Sequence, residues 1–187
     1  MKSPLLKNSM NFGALNGVAI IIVSLLIYLI GIKQNFAISL IIYAINILFI
    51  VLGTKYLRDQ HLQGQISYGK SVGSGVLISL FMSIIVAFYI FIFFKLMAPA
   101  EMDKIFEQQE EVLYSQGLPE DQIEMSIEMA KKFTTPFTMA IGTVFSYTFL
   151  GLLFSLVTAA FIKKGGDSYQ QMMKEVEKEM NDEQSNA

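Results

Sequence analysis

Residues 72–94 read VGSGVLISLFMSIIVAFYIFIFF, 23 residues without a single Asp, Glu, Lys, Arg or His. A hydrocarbon core about 30 Å thick is crossed by about 20 helical residues, so an uncharged apolar run of this length predicts a membrane span. The run is continuously apolar rather than alternating, which fits a helix and not a barrel strand. The stretches 12–31, 36–53 and 137–162 pass the same test. Lys7, Lys33, Lys55, Arg58, Lys70, Lys95, Lys163 and Lys164 bracket the four, and Tyr56, Tyr68 and Phe137 stand where interfacial aromatics collect.

Composition agrees with that reading. The chain is 53% hydrophobic and 16% charged, against about 25% charged for soluble domains. The net charge of −2 conceals segregation, with charge concentrated between and after the apolar runs. There is no Cys, which removes disulfides, thiolate metal sites and a Cys nucleophile, and His61 is the single histidine. The first apolar run follows Lys2 and Lys7 as a secretory signal would, but residues 31–37 offer no small-x-small cleavage site and the next run begins almost at once.

The predicted fold class is all-α: an integral membrane protein with four transmembrane helices and an extramembrane helical hairpin between helices three and four. Nine Lys and Arg fall on the side of the termini and of the connector between spans two and three, against five on the other. The positive-inside rule then places both termini in the cytoplasm. The expected segments are a cytoplasmic N-terminus (1–11), spans at 12–31 and 36–57, and a cytoplasmic connector (58–71). A third span (72–96), an extracytoplasmic hairpin (97–135), a fourth span (136–162) and a charged cytoplasmic tail (163–187) follow. The tail carries only a thin apolar face in Met172, Met173, Val176 and Met180.

The segment between spans three and four holds nine acids and four lysines. Pro99 opens a first short helix with Met102, Ile105, Phe106 and Leu113 at helical spacing, and Gly117 ends it. Pro119, Glu120 and Asp121 suit the start of a second, striped by Ile123, Ile127 and Ala130. Phe106, Leu113, Ile123 and Ile127 are expected to face one another or the membrane, and they are the candidate partner surface. The acids one helical turn apart, Glu107 with Glu111 and Glu124 with Glu128, are read as a solvated face rather than a cation site.

Candidate chemistry inside the spans is sparse. None of the apolar stretches 12–31, 36–53, 72–94 and 137–162 carries an Asp, Glu, Lys, Arg or His, which disfavours proton-coupled carriers, intramembrane proteases and voltage sensors. Asn46 sits near the middle of its span, where an interhelical hydrogen bond is the plain reading and a solute path the sharper one. Gly13 with Gly17, and Gly69 with Gly73, repeat an aromatic-Gly-x-x-x-Gly pattern at the start of spans one and three. Such spacing predicts close helix packing, and the repeat hints at a duplicated two-helix unit. No phosphate-binding glycine loop, Gly-x-Ser-x-Gly elbow, or basic aromatic patch for nucleic acid is present. No catalytic, cofactor-binding or metal-binding residue is assigned.

Four passages, taken together in order, carry a family resemblance. They are Phe12-Gly13-x-x-x-Gly17, then Ile66-Ser67-Tyr68-Gly69-Lys70, then Phe133-Thr134-Thr135-Pro136, then GLLFSLVTAAFIKK at 151–164. The chain resembles an uncharacterised bacterial inner-membrane family, domain of unknown function 4199. What the resemblance implies is a four-helix membrane protein of unknown activity, with no family catalytic residues to carry over. The expected function is therefore non-enzymatic association with another envelope component or a second copy of the chain, in the lipid bilayer. A small transport or channel subunit is the alternative, and a membrane enzyme lacks a nucleophile and base.

Overall fold

The computed structural model describes residues 3–32 and 35–164, together with residue 176. Of the tail read from the sequence, everything past 164 except residue 176 lies outside the described residues. Among the described residues up to 164 the α-helices follow in the order α1 (Pro4–Ile30), α2 (Phe36–Tyr56), α3 (Tyr68–Ile92), α4 (Ala100–Ser115), α5 (Glu120–Phe133) and α6 (Pro136–Ile162). Wider, π-type turns prolong α2 through Leu57–His61 and α3 through Phe93–Met97. Four helices are long and apolar enough to cross a membrane, with mean hydropathy of 2.4, 2.5, 2.8 and 1.9 in chain order. The chain is an all-α membrane protein, and among the described residues there is no β-strand.

Each boundary has a local cause. Ser3 accepts from the Leu6 amide and Pro4 occupies the first turn, so α1 starts well before the apolar run itself. Gly31 closes α1 at φ 74°, the left-handed turn that glycine supplies without strain. Asn35 and Ser67 cap α2 and α3. Thr135 and Thr138 form a reciprocal capping box ahead of α6.

α3 is the central helix of the bundle. It runs parallel to α1 in a constant register: Ser9 reaches Ser74, Gly13 faces Ile78, and Gly17 faces Met82. It runs antiparallel to α6, where each four-residue step up α3 is matched by four down α6, Gly75 meeting Ser155 and Ser79 meeting Gly151. The lipid-facing sides carry exposed rings and branched chains such as Leu29, Phe88, Phe145 and Phe161. Outside the bundle, α4 and α5 pair around Phe106, Ile123 and Ile127.

Candidate functional site

The interior of the bundle is polar where a soluble core would be aliphatic. Asn8, Ser9, Asn16, Asn46, Thr54, Ser71, Ser74, Ser79, Ser83 and Ser155 are all buried. They form a seam that starts at the connector end. There Asn8 Nδ2 donates to the Gly53 carbonyl at 2.9 Å, Ser9 Oγ to the Ser74 carbonyl, and Thr54 Oγ1 to Ser74 Oγ. Gly53 permits the first of these, since a Cβ there would sit 2.7 Å from Ile78 Cδ1 and 2.8 Å from the Phe12 ring.

Deeper in, Asn46 Oδ1 accepts from Asn16 Nδ2 at 2.9 Å and from Ser79 Oγ at 3.5 Å. One amide thereby ties α1, α2 and α3. The hydroxyls of Ser83 and Thr148 meet at 3.4 Å, and there the seam ends. Beyond it Ile20, Ile38, Ile42, Met82 and Val86 close the interior with an aliphatic cluster. Asn8 Oδ1, Asn16 Oδ1, Asn46 Nδ2 and Ser71 Oγ have no partner among the described residues.

Magnitudes rank these contacts. Interhelical hydrogen bonds in membranes average about 0.6 kcal/mol, whereas an unpaired buried polar group costs about 1–3 kcal/mol. The seam therefore adds specificity more than net stability, and cohesion rests on the close backbone contacts. Gly13 lies against the Ile78 carbonyl and Phe81, and Gly17 against Ile85. Gly75 and Gly151 meet the serines of the facing helix, making two small-x-x-x-small motifs, Gly75 with Ser79 and Gly151 with Ser155, that interlock.

The sequence pattern at Gly69 and Gly73 does not correspond to a contact. A Cβ at either position meets nothing within 4 Å. The buried rows of α3 run through Ser71, Ser74, Gly75, Ile78 and Ser79, and these two glycines lie off them. The two aromatic-Gly-x-x-x-Gly passages consequently pack differently. Phe12 stacks near Tyr56 at 5.5 Å, while Tyr68 Oη donates to the Leu156 carbonyl at 3.0 Å.

The connector is pinned rather than free. Arg58 is buried, its Nη1 donates to the Ile162 carbonyl at 3.1 Å, and Asp59 holds the guanidinium at 2.7 and 3.0 Å. A cation on the last carbonyls of α6 complements the negative end of that helix. Ile66 and Lys164 exchange backbone hydrogen bonds at 2.7 and 3.2 Å, and Leu57, Ile66 and Ile162 pack beneath them. Nothing in the sequence signals a contact this distant. Arg58 is thus committed within the fold rather than available to lipid heads.

In the hairpin, Phe106, Ile123 and Ile127 are 7%, 1% and 6% exposed, with Leu113 packed against them. The structure brings these four together as the hairpin's own core, the first of the two arrangements expected of them. Lys131 stands over the Phe106 ring at 5.8 Å. The Glu101 carboxylate accepts from Lys104 at 2.6 Å and raises that ammonium above its ordinary pKa. Glu110, Glu120, Glu124 and Glu128 line a groove with Lys131, and among the described residues no three of His, Cys, Asp and Glu are placed to hold a metal ion. The hairpin presents apolar surface at Val112 and Tyr114 on α4 and, on α5, as a stripe made of Met125, Met129 and Phe133, 60%, 54% and 70% exposed. Helical geometry sets Met125 and Met129 about 120–160° round the helix from Ile123 and Ile127, with Phe133 on the adjoining flank. The four-residue spacing of Met125, Met129 and Phe133 is the signal of this face in the sequence.

No curated protein and no solved structure matches the chain. Residues 11–164 match the model of the family described as protein of unknown function (DUF4199), and the chain belongs to that family.

Proposed function

We propose that this is a non-enzymatic membrane protein that acts by association, its hairpin meeting a protein partner through the outer stripe of α5. In this reading it resides in a bacterial cytoplasmic membrane, with both termini cytoplasmic and the hairpin on the opposite side; the Lys and Arg asymmetry and the family resemblance support that placement. The observation that carries the proposal is the division of labour within the hairpin. Phe106, Ile123 and Ile127 satisfy its folding, and Met125, Met129 and Phe133 remain as a second apolar face that the fold does not use. Methionine-rich faces adapt to partner surfaces because the side chain is unbranched and polarisable. Co-purification after crosslinking in intact cells tests it. Met129→Asp is expected to lose a crosslinked partner, or a crosslinked second copy, while keeping wild-type resistance to protease. Retention of every crosslink in Met129→Asp would remove this face from the account.

A transport role is the second reading, favoured by buried polar atoms that find no partner among the described residues, Asn16 Oδ1 and Asn46 Nδ2 within the spans and Asn8 Oδ1 and Ser71 Oγ at their connector end. The aliphatic closure by Ile20, Ile38, Ile42, Met82 and Val86 weighs against it. Solute or ion flux through liposomes that Asn46→Leu abolishes would establish transport over association.

A further inference from the structure

Small residues lock the α3–α6 pair over part of its length. Glycine and serine interlock at Gly75, Ser79, Gly151 and Ser155, and the last side-chain contact of this kind is Ser83 with Thr148. Toward the hairpin the seam between the two helices carries a surface groove of about 410 Å³ whose lining is wholly apolar. Ala87 and Ala140 are too short to fill it, and Phe88, Phe91, Phe137 and Ile141 wall it. It opens on the lipid-facing surface, where Phe88 is 67% and Phe137 is 62% exposed.

One end of this groove is charged. Phe91 lines it, and Lys95, one turn further along α3, holds its ammonium 5.0 Å from the centroid of the Phe91 ring. The lysine stands where α3 leaves the membrane, at the level of phosphate headgroups. An apolar trough inside the bilayer with a cation at its mouth matches an amphiphile carrying a phosphate and a long hydrocarbon chain. We infer that the groove between α3 and α6 is a binding site for an anionic phospholipid, with one acyl chain along Ala87 and Ala140 and the phosphate at Lys95.

The chain has no Trp, so single tryptophans report on individual lipid-facing positions. Full-length Phe88→Trp, at the groove, and Ile41→Trp, on exposed α2, are to be reconstituted in phosphatidylcholine vesicles containing phosphatidylglycerol brominated on its acyl chains. Half-quenching of Phe88→Trp is expected at a roughly fivefold lower mole fraction of brominated lipid than for Ile41→Trp. That factor corresponds to about 1 kcal/mol for one basic residue at an anionic surface. Lys95→Gln in the Phe88→Trp background should bring the two positions together, and brominated diacylglycerol, which lacks the phosphate, should show no dependence on Lys95. Equal quenching at both positions would overturn the site, and so would a preference at Phe88→Trp that survives Lys95→Gln.

Discussion

Exchange of bulk across the α3–α6 contact gives a prediction that can be worked from the structure. A methyl added at Gly151 would land on the Cβ and Oγ of Ser79, and the Cβ is fixed to the α3 backbone. Carbon atoms settle at about 3.5–4.0 Å, so Gly151→Ala requires the two helices to move apart. Overpacking of this kind costs about 1–3 kcal/mol, and the better helix propensity of alanine returns about 0.5–1 kcal/mol. The net expectation for Gly151→Ala is a loss of about 1–2 kcal/mol. Ser79→Gly alone should cost about 1 kcal/mol, from glycine in a helix and a weak 3.5 Å hydrogen bond to Asn46. The two together should cost less than Gly151→Ala alone, because the serine side chain that blocks the methyl is gone. The coupling is then the overpacking cost itself, about 1–3 kcal/mol, well outside the additivity expected of independent sites. Equilibrium denaturation in mixed micelles, followed by far-UV circular dichroism, measures all four corners of the cycle. Additivity within about 0.5 kcal/mol would refute the interlocked contact.

The polar seam predicts a second asymmetry: Asn46→Leu strands the Asn16 amide and should cost about 1–2 kcal/mol in the same assay, while Asn16→Leu with Asn46→Leu should cost less than Asn46→Leu alone. Arg58→Met removes the donor to the Ile162 carbonyl, and hydrogen exchange should quicken at the Ile66 and Lys164 amides, consistent with about 1–2 kcal/mol at that end of α6. Phe106→Asp should open the hairpin, since loss of a buried Phe costs about 3–5 kcal/mol. Limited proteolysis of vesicles should then cut between α3 and α6 and leave both spans embedded.

The spans were legible because the criterion is local: an uncharged apolar run of sufficient length needs no knowledge of its neighbours. Gly13 and Gly17 fall on a contact face and Gly69 and Gly73 do not, although the two pairs share one pattern. Spacing alone does not say which face of a helix is turned inward, and α3 turns inward at Ser71, Ser74 and Ile78. A reading that admitted serine as a small residue would have found Gly75 with Ser79 and Gly151 with Ser155. Asn46 was legible as a buried polar group, but its partner Asn16 comes from another helix thirty residues away. The contact of Arg58 with Ile162 spans 104 residues and leaves no trace in local pattern. Helical spacing found the apolar positions of the hairpin without distinguishing a core from a docking face; only the pairing of α4 with α5 decides that.

The most direct test of the central claim is a photoactivatable phenylalanine analogue substituted at Met129 of the full-length protein in its native membrane, with the same analogue at Ile123 for comparison. The account predicts a discrete protein adduct from Met129, a partner or a second copy, that disappears when Met125→Asp is added, and none from Ile123, which is 1% exposed. Irradiation that yields no protein adduct at Met129, or the same adduct from both positions, would contradict it.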